Sequence, residues 1–138
     1  MDLEDISVLI KIAGLQFDKI SNSVLTDYDL TPTQFKIVRF LMLSPYASVR
    51  QIDIEQRFSI TNPTVTGVLQ NLEKKGLIKR IPNPNDGRSK IVIPTDKLKD
   101  KNREIEDIFS LLESRFTSSL EDDEKAQLRA LLKKMLEK

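Results

Sequence analysis

Residues 58–80 of the chain read FSITNPTVTGVLQNLEKKGLIKR, and this stretch has the pattern of a short amphipathic helix. Thr61 is of the type that caps a helix N-terminus, Pro63 falls in the first turn, where a missing N–H costs nothing, and Gly76 suits the left-handed position beyond the C-terminus. Apolar residues recur at helical spacing and form the stripe to be buried: Val65, Val68, Leu69 and Leu72. The stretch predicts a helix that starts after Thr61 and ends before Gly76.

The opposite face of this helix carries short hydrogen-bonding side chains and one cation, unlike the Glu/Lys mixture of an ordinary solvated helix. The residues on it are Asn62, Thr64, Thr66, Gly67, Gln70, Asn71 and Lys74. Such side chains can read base edges in the major groove of DNA. This face therefore predicts a recognition helix.

A second short helix is expected just upstream. Ser48 with Gln51 has the pattern of a capping box, and Ile52, Ile54 and Phe58 supply the apolar spacing of a helix that stops near residue 59. Two helices joined by a short turn make a helix-turn-helix.

Downstream of Gly76 the pattern predicts a β-hairpin. Residues 77–81 and 90–93 read as its strands, with the turn residues 82–87 between them. Asp86 and Gly87 are expected to shape this wing, and Arg88 and Lys90 to bring cations to phosphate or to a minor groove. The alternative is a plain connecting hairpin, since Asp-Gly is a common turn dipeptide.

At this point the chain resembles the MarR family of winged-helix transcriptional regulators. The resemblance rests on residues 30–34 (LTPTQ), on the tract 62–80 and on Asp86-Gly87-Arg88, and it extends over nearly all 138 residues. One departure lies near the motif, where Glu55 replaces a customary small residue. The resemblance implies a mainly α-helical chain with a small β-hairpin wing (α+β), in which a winged helix-turn-helix at 32–95 is joined to dimerisation helices at 1–27 and 97–138 of a single domain.

Charge and composition narrow the function further. Residues 57–90 carry seven Lys or Arg against two acidic residues, whereas residues 1–31 carry two against six. Basic charge gathered at the motif is what a polyanion-binding surface requires. The chain has no Cys and no His, which excludes thiol redox sensing and the common zinc and triad chemistries.

Amphipathic segments at both ends predict a homodimer. Apolar residues recur at spacings of three and four over residues 3–24, and two further stripes occupy 105–116 and 128–135. The residues expected to meet a second copy are Leu3, Ile6, Ile10, Leu112, Phe116, Leu128, Leu131 and Met135. The alternative is that these helices pack only on their own chain.

By resemblance, a small aromatic or lipophilic effector is a further expected partner. Its pocket would be lined by Phe17, Ile20, Phe40, Leu43 and Phe109. The alternative is that these residues are ordinary core, because apolar stripes are more often core than pocket. The acidic run 121–124 is interpreted as the first turn of a helix rather than a metal site, so neither a metal nor a cofactor is expected.

The leading hypothesis is a sequence-specific transcriptional regulator, a homodimeric repressor that binds double-stranded DNA at a pseudo-palindromic operator. The alternative is a winged-helix module that docks on proteins without specific DNA binding. An enzyme is not expected, because no nucleophile, base or cofactor loop forms a constellation. The acidic amino terminus has no signal-peptide pattern and no run is apolar enough for a membrane span, so a cytoplasmic protein, bound to the nucleoid when on DNA, is expected.

Overall fold

The computed structural model of the chain describes residues 4–137, and it is mainly helical with one small antiparallel sheet, as expected. The elements in chain order are α1 (Ile6–Leu25), a 3-10 turn (Thr26–Tyr28), α2 (Pro32–Leu43), β1 (Val49–Arg50), α3 (Gln51–Phe58), α4 (Asn62–Lys74), β2 (Ile78–Ile81), β3 (Ile91–Pro94), α5 (Asp96–Asp100), α6 (Asn102–Phe116) and α7 (Asp122–Leu136). Helices α3 and α4 with the β2–β3 hairpin form the expected winged helix-turn-helix.

Local capping explains where the helices begin. At the start of α2 the Thr31 hydroxyl oxygen accepts from the Gln34 N–H at 3.1 Å, while Gln34 Oε1 accepts from the Thr31 N–H at 3.2 Å. Thr61 does precede α4, but its hydroxyl donates to the Thr64 hydroxyl at 3.1 Å instead of capping a backbone N–H. Gly76 has φ +75°, the left-handed position expected after α4.

The start of α3 differs from the prediction. The Ser48 hydroxyl donates to the Pro45 carbonyl at 2.6 Å and does not cap a helix. Instead the Arg50 N–H donates to Asp53 Oδ2 at 2.8 Å, and the helix begins at Gln51. The predicted Ser48–Gln51 capping box is therefore wrong, because the hydroxyl is used by the preceding turn.

The sheet has one strand more than the hairpin predicted from sequence. Its order is β1-β3-β2, and Val49 of β1 pairs with Val92 of β3. Strand β1 has two residues, too few for an alternating pattern to be visible in the sequence. Because β1 leads directly into α3, this pairing fixes the wing to the first helix of the motif.

The core lies where α2, α4, the sheet and α6 meet. In α4 the expected stripe is confirmed, since Val65, Leu69 and Leu72 are fully buried and Val68 is partly buried. Helix α6 packs against α1 and α2 of its own chain. Leu112 is fully buried in that contact, so the expectation that it meets a second copy is wrong.

Both ends of the chain leave apolar surface uncovered. In the first half of α1, Ile6, Leu9 and Ile10 are exposed, and α7 has no buried residue at all among those described. Its apolar residues Leu128, Leu131 and Met135 are open to solvent.

The structure does not place two further residues of the expected dimer surface on this uncovered surface. Phe116 is half-buried, with its ring 5.1 Å from that of Phe17, whereas Leu3 lies outside the described residues. Within residues 4–137 no helix combines the length and apolar character that crossing a bilayer demands.

Candidate nucleic-acid interface

Helix α4 presents its polar face outward because its apolar stripe is anchored in the core. Positions 63, 67, 70 and 74 recur at spacings of three and four on the side opposite Leu69, and they form the centre of the outer face. Gln70, Asn71 and Lys74 are exposed there, as are Asn62 and Thr64, while Thr66 is half-buried. The structure thus places the six side chains proposed from sequence on the accessible part of α4.

One flank of α4 is held by α3. Gln51 Nε2 donates to the Thr66 hydroxyl at 2.8 Å, and Asn62 Nδ2 donates to Glu55 Oε2 at 3.0 Å. Sequence reasoning missed both α3 residues as members of this surface. The one signal available was that Glu55 departs from the residue type usual in the family that the chain resembles.

The wing projects a cation away from the body of the protein. Asp86 Oδ1 accepts from the Arg88 N–H at 3.0 Å, which closes the turn, and the Arg88 side chain is 96% exposed. Its Nε lies 3.7 Å from Asp86 Oδ1, a weak pair at that exposure. Asp86 therefore holds the backbone of this turn through its side chain.

Gly87 does not have the expected shaping role. Its φ lies outside the left-handed region, and a Cβ built on it would meet nothing within 4 Å. The wing does not require glycine at this position.

An ion pair that the sequence analysis missed joins α4 to the wing. Arg80 of β2 donates through Nη2 and Nε to Glu73 Oε1, at 2.7 and 3.0 Å, and its side chain is only 17% exposed. The Gln51 N–H also donates to the Lys90 carbonyl at 3.0 Å, which ties the start of α3 to the residue just before β3. These contacts fix the wing relative to the helix-turn-helix.

Helix α3, the start of α4 and the wing form the walls of one open cleft. Its lining residues are Gln51, Ile52, Glu55, Asn62, Arg80, Asp86, Arg88, Ser89 and Lys90. Beside it, a side-chain hydrogen bond from Arg50 holds the pKa of Asp53 below its usual value, and the same contact raises the pKa of Arg50. The contact therefore favours the charged form of both groups, and the Arg50–Asp53 pair supports the cap of α3.

A separate cavity of about 140 Å³ lies between α1, α2, α3 and α6. Of the five residues proposed for an effector pocket, four line it, namely Phe17, Phe40, Leu43 and Phe109. Ile20 does not; it packs against the hydrophobic core instead. Its place on the wall of the cavity is taken by Phe35 and Phe58.

The same cavity carries cations that the sequence analysis did not single out. Arg39 stacks on the Phe109 ring at 3.4 Å, and Arg57 lies 5.9 Å from the centre of the Phe40 ring. The Nε of Arg39 is 3.3 Å from Glu106 Oε1, whereas within residues 4–137 Arg57 has no acidic partner within 4.0 Å. The available signal was the occurrence of Arg39 within the otherwise apolar run 37–43.

No metal site is evident in the part of the chain that the structure describes. Between residues 4 and 137 no three acidic side chains are grouped in a way that could hold a metal ion. The acidic run 121–124 starts α7, where the Glu121 N–H donates to Glu124 Oε1 at 2.9 Å.

The comparisons with known proteins agree on one family. The model of the MarR family matches residues 30–90. The multiple antibiotic resistance protein MarR of Escherichia coli (strain K12) is 32% identical over 133 residues, which cover 93% of this chain and 88% of that protein. The homoprotocatechuate degradative operon repressor of Escherichia coli is 30% identical over 69% of this chain and 66% of its own length.

A solved structure extends the similarity to three dimensions. The crystal structure of a mutant MarR from E. coli complexed with operator DNA has a TM-score of 0.80 and 28% sequence identity, over 96% of this chain and 94% of that chain.

Proposed function

The chain belongs to the MarR family, and on that premise we propose that it is a sequence-specific DNA-binding transcriptional regulator. The observation that carries the proposal is the shared cleft, because Asn62 of α4 lines it together with Arg88 and Lys90 of the wing. A base-reading helix and a cationic arm on one surface can engage a major groove and its flanking minor groove at the same time.

The residues divide by the part of DNA that they can contact. Thr64, Thr66, Gln70 and Asn71 have the short polar groups that hydrogen-bond to base edges. Asn62 and Lys74 lie where they can contact phosphates or bases, and Arg88 and Lys90 supply the flanking minor-groove contacts. The surplus of cations at 57–90 supplies the sequence-independent part of the affinity through counterion release.

We further propose that the protein acts as a homodimer. The uncovered apolar surface of α1 and α7 is costly in water, and a second copy would bury it. A two-fold axis would then present two α4 helices to successive major grooves, about 10 base pairs apart. The operator is accordingly a short pseudo-palindrome.

Repression is the direction of regulation that we favour. One relative, the homoprotocatechuate degradative operon repressor of Escherichia coli, is a repressor by name. A dimer bound over a promoter blocks polymerase without further machinery.

The cavity between α1, α2, α3 and α6 is our candidate effector site. It combines five aromatic rings with the guanidinium groups of Arg39 and Arg57, so the ligand that it fits is a small aromatic or lipophilic anion. Because α3 supplies part of the wall and α1 another part, a ligand there would change how the motif sits on the dimerisation helices.

Selection of bound fragments from a random DNA pool, repeated at two salt concentrations, tests the proposal. A recovered pseudo-palindrome whose affinity falls with salt is the expected result. Recovery of DNA without any preferred sequence would leave a non-specific binder. No DNA retained at all would favour the winged-helix module that docks on proteins.

Gln70→Ala is expected to lower the affinity for the selected operator by about 1 to 3 kcal/mol and to relax the preference at one position per half-site. The reason is that the exposed Gln70 amide can donate to and accept from one base pair. Competition binding against operators changed at single positions measures this. Equal loss on every sequence would show that Gln70 does not read a base.

Benzoate is a suitable probe of the cavity, with the neutral benzamide as its matched control. Calorimetry should detect binding of benzoate and weaker binding of benzamide. Arg57→Met should lower the affinity for benzoate by about three- to tenfold, because it removes one charge-assisted contact at a partly exposed site. The control variant Arg129→Met, on the exposed helix α7, should leave the affinity for benzoate unchanged. Equal affinity for both ligands would contradict an anion site.

A further inference from the structure

Glu55 is an acidic residue in the cleft that we propose meets DNA. Its carboxylate lies on the cleft wall with the cationic residues Arg80, Arg88 and Lys90. Within residues 4–137 no Lys or Arg approaches it within 4.0 Å. An unpaired negative charge opposes phosphate binding. Glu55 therefore lowers the affinity for DNA, and its place in the cleft is explained only by a contribution other than affinity.

The contact between Glu55 and Asn62 fixes the orientation of the Asn62 amide. A carboxylate only accepts hydrogen bonds, so the group 3.0 Å from Glu55 Oε2 must be the amide nitrogen of Asn62. The Asn62 carbonyl oxygen consequently points away from Glu55. Within residues 4–137 neither this oxygen nor Glu55 Oε1 accepts a hydrogen bond, so two acceptors remain available at the cleft.

From this arrangement we propose that Glu55 determines the specificity of the interface, by positioning Asn62 and by presenting with it a pair of acceptors to a base with a major-groove amino group, cytosine above all. This inference rests on the proposed function. In the major groove, paired cytosine offers the one N4 hydrogen that the base pair does not use, which the two acceptors would share, whereas guanine and thymine place acceptors on their edges. Adenine offers an amino group beside the acceptor N7, which a second acceptor on the protein would repel.

A second hydrogen bond supports a positioning role for α3. Thr66 lies one helical turn after Asn62 on the same flank of α4, and its hydroxyl is held by Gln51 Nε2 at 2.8 Å. The flank nearest α3 is therefore held in place before DNA arrives, which lowers the entropy cost of ordering these side chains on binding.

A purely structural role for Glu55 predicts a different outcome. Its carboxylate lies next to the first residue of α4, where a negative charge offsets the helix dipole. Loss of that effect would lower stability but would leave the preference for bases unchanged. The base preference is thus the readout that separates the two roles.

The test compares the operator preference of the full chain with that of Glu55→Gln, which keeps the shape and removes the charge. Asp107→Asn, at an exposed position of α6, is the control for net charge, and thermal unfolding of all three proteins checks the fold. The wild-type protein should prefer cytosine at one position per half-site. Glu55→Gln should reduce that preference about tenfold at this position only, without weakening binding to non-specific DNA, while Asp107→Asn changes no position.

Three outcomes would overturn the inference. An unchanged base profile in Glu55→Gln, with or without a lower unfolding temperature, would leave Glu55 a structural residue. A loss of preference at all positions together would show that no single base is read through it. A wild-type operator that requires an A·T pair, in either orientation, at the position that responds to Glu55→Gln would refute the acceptor pair while the proposed function stands, whereas a wild-type protein without any preferred sequence would remove both.

Discussion

Replacing Leu131 with Asp is expected to convert the protein to a monomer and to weaken operator binding by about a hundredfold or more. Leu131 is 60% exposed, at the centre of the apolar stripe of α7, and no described residue of α7 is buried in its own chain. An unpaired carboxylate in an apolar interface has no partner to replace its hydration, so the dimer loses far more than one contact. Loss of the second recognition helix then removes the avidity, which is worth about 10² to 10⁴ in affinity for linked sites.

Sedimentation gives the oligomeric state and competition binding gives the operator affinity. Because Leu131 makes no contribution to the core, the helical content and the unfolding of the monomer unit should be preserved. Tyr46→Asp is the matched control, since Tyr46 is 63% exposed but lies on the loop between α2 and β1. An unchanged sedimentation profile in Leu131→Asp would show that α7 is not the dimer surface.

Leu69→Ala is expected to destabilise the fold by about 2 to 5 kcal/mol, the usual result of removing a fully buried leucine and leaving a cavity. Leu69 has no exposed surface and packs in the cluster that holds α4 to the rest of the core. A domain of this kind is stable by only about 5 to 15 kcal/mol, so the loss is a large fraction of the total. Urea unfolding, with the midpoint and slope fitted separately, measures it.

Gln70→Ala is the matched control, because Gln70 is the next residue but lies on the exposed outer face of α4. It should leave the free energy of unfolding within about 0.5 kcal/mol of wild type, as surface substitutions do, and change base preference. Leu69→Ala, studied at a temperature where it is folded, should keep the base preference. If both variants changed the same property, α4 would not have the separate inner and outer faces that the structure assigns to it.

The helix-turn-helix and the wing were predictable because their signals are local. Pro63 at the start of α4, Gly76 with φ +75° at its end, and the apolar stripe between them are read from neighbouring residues. The Thr31–Gln34 capping box is of the same kind, since both partners lie within one turn.

Two predictions from the sequence were wrong because residue type and spacing allowed more than one partner, and only the packing of the folded chain decides between the partners. Ser48 has the right chemistry to cap α3, but its hydroxyl bonds to Pro45, and Arg50 takes the capping position. Leu112 fits an apolar stripe as well as any residue expected at the dimer surface, yet α6 buries it against its own chain. Periodicity identifies the apolar face of a helix without saying which partner covers that face.

The sequence by itself determined the helix-turn-helix and the wing, the polar outer face of α4 and the concentration of cations at the motif, because each of these depends on residue type and spacing alone. The tertiary structure decided which side chains of different elements meet. It brought Glu73 to Arg80, Gln51 to Thr66 and Glu55 to Asn62. Side-chain hydrogen bonds require atoms within about 3 Å, and that proximity is set by how α3, α4 and the wing pack around one core.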